Sequence, residues 1–196
     1  MGAAENQPFG GDMAGLAALI GRAAPDGRKP PVERWNPPFC GDIDMAIDRA
    51  GQWHYMGTPI GREALVRLFA SVLKRDADAY FLVTPVEKVG IRVADVPFLA
   101  VEMHAAGDGD GRTLTLRTNV GDVVEAGPEH RLRFVIEEGS GGLVPYVHVR
   151  AGLEARFTRA LAQEAAELVE EGPDGRLGIR AGGVFHPLPK GAMGEA

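Results

Sequence analysis

The stretch Trp53-His54-Tyr55-Met56-Gly57-Thr58-Pro59-Ile60-Gly61-Arg62, continued by Leu65, Leu68, Phe69, Val72 and Leu73 and closed by Tyr80-Phe81-Leu82-Val83-Thr84, decides how this chain is read. Trp53 and Tyr55 share one face and His54 and Met56 the other, the two-residue period of a strand. The apolar residues after the turn fall at i, i+3, i+4, i+7 and i+8, the stripe of a helix that packs on a sheet. Thr58 stands where it would cap that helix with Pro59 in the first position, and Gly61 is an alternative cap. Tyr80 to Val83 is a short apolar run between Asp76-Ala77-Asp78 and Pro85, which reads as a buried strand. A strand, turn, helix and strand therefore follow one another.

Upstream, Ile43, Met45 and Ile47 alternate with Asp42, Asp44 and Asp48, predicting a half-buried strand that returns through Ala50-Gly51 into Trp53. Before it, Pro25, Pro30, Pro31, Pro37 and Pro38 favour an extended arm without ladder hydrogen bonds. Trp35, Trp53 and Tyr55 are expected to anchor that arm by burying their rings. Earlier still, Met13, Leu16, Leu19 and Ile20 at helical spacing behind Asp12 predict a short helix ending by Pro25.

Downstream, Glu87 to Val93, Phe98 to His104, Thr113 to Thr118, His130 to Glu137 and Val144 to Val149 read as strands. Leu153 to Glu171 reads as a second long helix carrying Leu153, Phe157, Ala160, Leu161, Ala165 and Leu168 on one face. Leu177 to Ile179 and Val184 to Phe185 finish a second sheet. The expected class is α+β: two structurally similar halves, each a small, mainly antiparallel sheet packed with one long helix, plus a short N-terminal helix. The corresponding segments are 1–34 for the N-terminal helix and Pro-rich arm, 35–106 and 107–190 for the halves, and 191–196 for a tail.

With 196 residues, 45% of them apolar, the chain has ample material for a core. No apolar run approaches the roughly 20 residues of a membrane-crossing helix. Met1 to Gly11 lacks the basic cluster of a secretory signal, so a cytoplasmic location is expected. The single cysteine, Cys40, forms no intramolecular disulfide or cysteine-rich zinc cage, and its setting assigns it to packing. A net charge of −6 disfavours nucleic acid as a partner. Arg62, Arg67, Lys74 and Arg75 form the densest basic group, read as a solvated helix face.

The series Trp35-Asn36-Pro37, Cys40-Gly41-Asp42-Ile43-Asp44-Met45, Gly57-Thr58-Pro59-Ile60-Gly61-Arg62, Leu68-Phe69-Ala70-Ser71-Val72-Leu73, Leu82-Val83-Thr84-Pro85-Val86-Glu87-Lys88, Val96-Pro97-Phe98, Thr118-Asn119-Val120-Gly121-Asp122 and Tyr146-Val147-His148-Val149-Arg150-Ala151-Gly152-Leu153 resembles a bacterial family, domain of unknown function 1285. The likeness runs over about residues 35–157. It implies a two-part α+β fold with a repeated motif and a role in signalling or regulation, and it supplies no catalytic residues.

Candidate sites come from residue chemistry. The Gly57 to Gly61 turn before a helix invites an anion onto free helix amides, with Thr58 and Gly61 at the site. It lacks the Walker lysine. Arg62 either assists or pairs with Glu63 or Asp44. Asp42, Asp44 and Asp48 with Glu87 are carboxylates of the type a hard cation needs, but an acidic strand face is ordinarily just wet, so no metal is assigned. Glu87 and Lys88 follow the break at Pro85, either as pocket residues or as an exposed pair. His54, His104, His130, His148 and His186 lack the i, i+4 spacing of zinc proteases. His148 and Arg150 form a polar cluster that Asn119 and Asp122 either join or leave to a capped turn.

The reading that results is a regulatory module binding a small ligand or a protein partner in a cleft between its halves through Arg62, Glu87, Lys88, His148 and Arg150. No cofactor and no membrane partner is expected, and oligomeric state is left open. The alternatives are a hydrolase of a phosphorylated or acyl substrate, with Glu87 or His148 as base, and a scaffold without a pocket.

Overall fold

The computed structural model describes residues 13–23 and 29–192. Asp12, Pro25 and the segment 1–11 lie outside the described residues, as do the last four residues of the expected tail. The chain divides into two compact units at Asp95/Val96.

In the first unit, α1 (Met13–Ala23) is followed by β1 (Phe39–Ile47), β2 (Trp53–Tyr55), β3 (Thr58–Pro59), α2 (Glu63–Ser71), β4 (Leu73–Asp76), β5 (Ala79–Val83) and β6 (Lys88–Val93). Its six-stranded sheet runs β3-β2-β1-β6-β5-β4. Two antiparallel meanders, β1 to β3 and β4 to β6, are joined by a parallel pairing of β1 with β6. Asp48 secures the β1–β2 turn. Its carboxylate accepts the Ala50 and Gln52 amides at 2.9 Å each and meets His54 Nε2 at 3.0 Å. Burial works against ionisation there, but those amides and His54 together hold the Asp48 carboxyl below its ordinary value. Trp53, fully buried, stacks on Phe69 of α2 with ring centroids 6.2 Å apart and ties the helix to the sheet.

The second unit contains β7 (Phe98–Ala106), β8 (Thr113–Thr118), β9 (Val123–Glu125), β10 (Leu132–Ile136), β11 (Leu143–Arg150), β12 (Leu153–Phe157), α3 (Arg159–Ala166), β13 (Val169–Glu171), β14 (Leu177–Ala181) and β15 (Val184–Pro187). Its large sheet runs β10-β11-β12-β7-β8-β9, again two antiparallel meanders joined by a parallel pair, β12 with β7. The relative strand order is the same in both sheets. The third sheet, β13-β14-β15, is fastened to the second. His186 Nδ1 accepts the Leu132 amide at 3.2 Å, the Gly182 amide donates to the Arg112 carbonyl at 2.9 Å, and Glu170 bridges Arg112 and Arg180.

The α+β expectation is corrected. The protein is mostly β, with 45% strand and 18% helix in three sheets, one of them curled into a half-barrel, and the expected long packed helices are absent among the described residues. The helix predicted through Leu73 stops at Ser71, because Leu73 to Asp76 pairs with β5 from Leu73↔Leu82 to Asp76↔Ala79. Lys74 and Arg75 therefore lie on a strand and share no helix face with Arg62 and Arg67. The helix predicted over 153–171 is three elements. A two-residue turn at Ala151-Gly152 sends Leu153, Ala155 and Phe157 back as a strand with alternate residues buried. Thr158 then caps α3, its hydroxyl accepting the Leu161 amide at 3.4 Å, and 169–171 starts the third sheet. Leu177 to Phe185 belongs to that third sheet and does not complete the second. Thr58-Pro59 is a short strand and no cap, since Arg62 occupies the N-cap position without a side-chain capping bond. No helix among the described residues is long and apolar enough to cross a membrane.

Two outcomes follow from how the third sheet is held. Gly182 has φ +55°, and an added Cβ would lie 2.4 Å from the Ala126 carbonyl oxygen and 2.9 Å from Gly127 Cα. Gly182→Ala is expected to cost about 1–3 kcal/mol in urea unfolding. Burial pushes the His186 imidazole below its ordinary value, against the pull of the Ala181 carbonyl and with help from Arg131. The folded protein thus binds that proton less tightly than the unfolded chain does. His186's contribution to stability is complete above about pH 6.5 and declines as pH falls toward the lowered folded value. Melting temperatures compared at pH 7.5 and 5.5 should differ less in His186→Gln than in the wild type.

Candidate functional site

The β2–β3 turn and the start of α2 build a concave surface in the first unit. Trp53 stacked on Phe69 holds β2 under the helix, and Met56-Gly57 reverses the chain with φ of 49° and 75°. Such a turn favours Asn-Gly over Met-Gly, because a side chain in the left-handed region is strained. Met56 nevertheless stands there, 67% exposed. Together with Tyr55, Ile60 and Leu65, and with Met13 and Ala17 of α1, it lines a cleft of about 620 Å³. Thr58, Gly61 and Arg62 line the same cleft. The α2 N-terminus adds amides that no Arg62 side-chain cap satisfies.

The Arg62 side chain is exposed and makes no ion pair or hydrogen bond among the described residues, its carbonyl alone accepting the Leu65 and Val66 amides of the first turn of α2. Neither expected partner is open to it: Asp44 pairs with Arg92 at 2.6 Å and Glu63 with Arg67 at 3.3 Å. Asp44 and Asp48 are thus both engaged, and no three carboxylate, imidazole or thiol side chains among the described residues are grouped to hold a metal ion.

The other predicted residues are placed differently. Glu87 and Lys88 do not form an exposed pair, because Glu87 closes the 84–87 turn, its amide donating to Thr84 Oγ1 at 3.1 Å, and Lys88 opens β6. Glu87 is buried, and its Oε2 has no hydrogen-bond partner among the described residues. Lys88 lies over the Phe81 ring, 4.0 Å from its centroid, and reaches Asp76 at 2.8 Å. That hydrogen bond holds the Asp76 carboxyl below its usual value. Neither residue lines the cleft. Cys40 is exposed, its thiol 3.4 Å from the Pro38 carbonyl, so it does not fill core.

His148 and Arg150 belong to the second unit. Both nitrogens of His148 are engaged by backbone: Nδ1–H donates to the Glu129 carbonyl at 2.8 Å and Nε2 accepts the Gly152 amide at 3.2 Å. Arg150 pairs with the buried Asp122 carboxylate and lies over Phe98. Asp122 sits in the 118–122 turn, its amide donating to Thr118 Oγ1 at 2.9 Å. Asn119 clamps Leu99 of β7, accepting its amide on Oδ1 at 3.0 Å and donating its own amide to the Leu99 carbonyl at 2.8 Å. This cluster fixes a turn to a sheet.

A second cavity, of about 530 Å³, lies in the second unit between the β10–β11 hairpin and α3. Sequence reasoning missed it because it read 153–171 as one continuous helix. The signal that was available is the run Ala162, Ala165 and Ala166.

Residues 30–96 match the family model described as domain of unknown function (DUF1285), N-terminal domain, and residues 97–188 match the DUF1285 C-terminal domain. The chain belongs to the DUF1285 family. The junction of the DUF1285 domains falls beside the division of the fold at Asp95/Val96. A solved DUF1285 family protein from Silicibacter pomeroyi DSS-3 is 48% identical, covering 92% of this chain and 96% of that one, with a TM-score of 0.85. Another, from Shewanella baltica OS155, is 28% identical over 64% of this chain and 91% of that one, with a TM-score of 0.51. No curated protein matches.

Glu87 yields a stability test. Its Oε2, buried without a partner, loses hydration and gains nothing in return. Glu87→Met, which keeps the length of the side chain and removes the charge, is expected to raise unfolding stability by about 1 kcal/mol or more at pH 7 in urea titration.

Proposed function

We propose that this DUF1285 protein is a non-catalytic regulatory module that binds a small amphipathic anion in the cleft of its first unit. One observation carries the reading: Arg62, a cation without a partner among the described residues, stands at the edge of an apolar cleft. A cleft of about 620 Å³ is within the roughly 300–1,000 Å³ range of small-molecule sites, and such sites combine an apolar lining with a few polar groups that fix orientation. Exposed Met56 supplies a soft, adaptable apolar surface at a turn position that disfavours it. Arg62, Thr58 and the amides at the start of α2 are donors suited to a phosphate or carboxylate head.

Binding is favoured over turnover by the condition of the candidate bases. His148 spends both ring nitrogens on backbone, and Glu87 is buried and absent from the cleft lining. General-base catalysis needs a proton acceptor within about 3 Å of the reacting group.

Octyl phosphate is a suitable probe, measured by thermal shift and calorimetry. The wild type is expected to be stabilised, and Arg62→Gln to weaken binding about tenfold, the usual consequence of losing one charge-assisted hydrogen bond. Binding unchanged in Arg62→Gln, or absent from the wild type at millimolar probe, would refute the proposal.

A further inference from the structure

The cavity of the second unit has a cause in the composition of α3. The helix buries Leu161 but presents Ala162, Ala165 and Ala166 to the cavity, whose methyl groups leave open the space that larger side chains would fill. The opposite wall includes Phe134 and Phe157, both nearly buried. At about 530 Å³, this space is also within the range of small-molecule sites.

The polar groups at its rim divide into two sets. Glu137 and Arg156 satisfy one another at 3.4 Å, and Glu137 also accepts the Ser140 hydroxyl at 2.9 Å. Arg159 and Gln163 line the cavity from successive turns of α3, at i and i+4, and neither side chain has a hydrogen-bond or ionic partner among the described residues. Both side chains present N–H donors, and Arg159 adds a charge that no group among the described residues pairs.

We infer that this cavity is a second ligand site, specific for a flat aromatic carboxylate. The ring system lies on the alanine face of α3 beside Phe134 and Phe157, and the carboxylate accepts from the Arg159 guanidinium and the Gln163 amide. Aromatic rings fit a slot left by methyl groups and make favourable edge or offset contacts with phenylalanine. A guanidinium fork matches the two oxygens of a carboxylate. The site is independent of the first-unit cleft and does not rest on the role proposed for Arg62.

The test uses the full chain, 2-naphthoate as probe and 2-naphthalenemethanol as its uncharged counterpart, both titrated by calorimetry. Arg159→Gln is expected to weaken 2-naphthoate about tenfold and leave the alcohol unchanged. Ala162→Leu, which fills the slot without touching a charge, is expected to abolish binding of both probes. Ala166→Leu, at an exposed position where the fold is not at risk, is expected to weaken both. Arg62→Gln should leave all these values unchanged, which separates this site from the first. The inference is overturned if wild-type protein does not bind 2-naphthoate at millimolar concentration. It is also overturned if Arg159→Gln weakens both probes equally or neither, or if both filling variants bind at full strength.

Discussion

The parallel pairing of the first and last strands of each six-stranded sheet is the constraint on which the rest of the structure depends. The meanders β1 to β3 and β4 to β6 are local, each strand returning beside the one before it. They become one sheet only when β1 meets β6, a pairing closed at its end by the Ala94 amide on the Ile47 carbonyl and bridged on the surface by Arg92 and Asp44. The second unit repeats the arrangement, with β12 beside β7 and the Thr158 amide donating to the Ala100 carbonyl where the pairing ends. Such contacts join residues distant in sequence and cost more chain entropy to form than any hairpin.

The same strand order places the helices differently, and this decides where space is left. In the first unit α2 is inserted between the meanders, and Trp53 stacked on Phe69 fills the room beneath it. The concavity is displaced to its N-terminal end, around Arg62. In the second unit α3 follows the sixth strand, and its alanine face leaves the space open under the helix itself. Packing density is ordinarily uniform in protein interiors, so a helix that presents methyl groups where larger side chains would interlock marks a departure with a local cause.

Several residues that looked chemical by type serve the architecture. Asp48 and His54 secure a turn, His148 is spent on two backbone groups, and Asp122 with Arg150 pins the 118–122 turn. His186 supplies the acceptor for the Leu132 amide on an edge strand. Buried backbone donors must be satisfied, and short polar side chains close to turns are the means at hand.

The sequence by itself determined the β1–β2 hairpin, the strands β5, β6, β8, β10 and β11, and the place of the Thr58 to Arg62 segment ahead of a helix, because period-two alternation and turn chemistry are local signals. The motifs that mark the DUF1285 family are likewise carried by the sequence alone. Tertiary structure alone decided where helix gave way to strand. Leu73 fits the α2 stripe as well as it fits β4, and Leu153 and Phe157, four residues apart, share a face in strand and helix alike, so the available partner strands, β5 and β11, settled each case. It alone also decided which charges remained unmatched. Arg62 is followed directly by Glu63, but Glu63 is engaged by Arg67 and Asp44 by Arg92, and only the folded sheet and helix set those pairings.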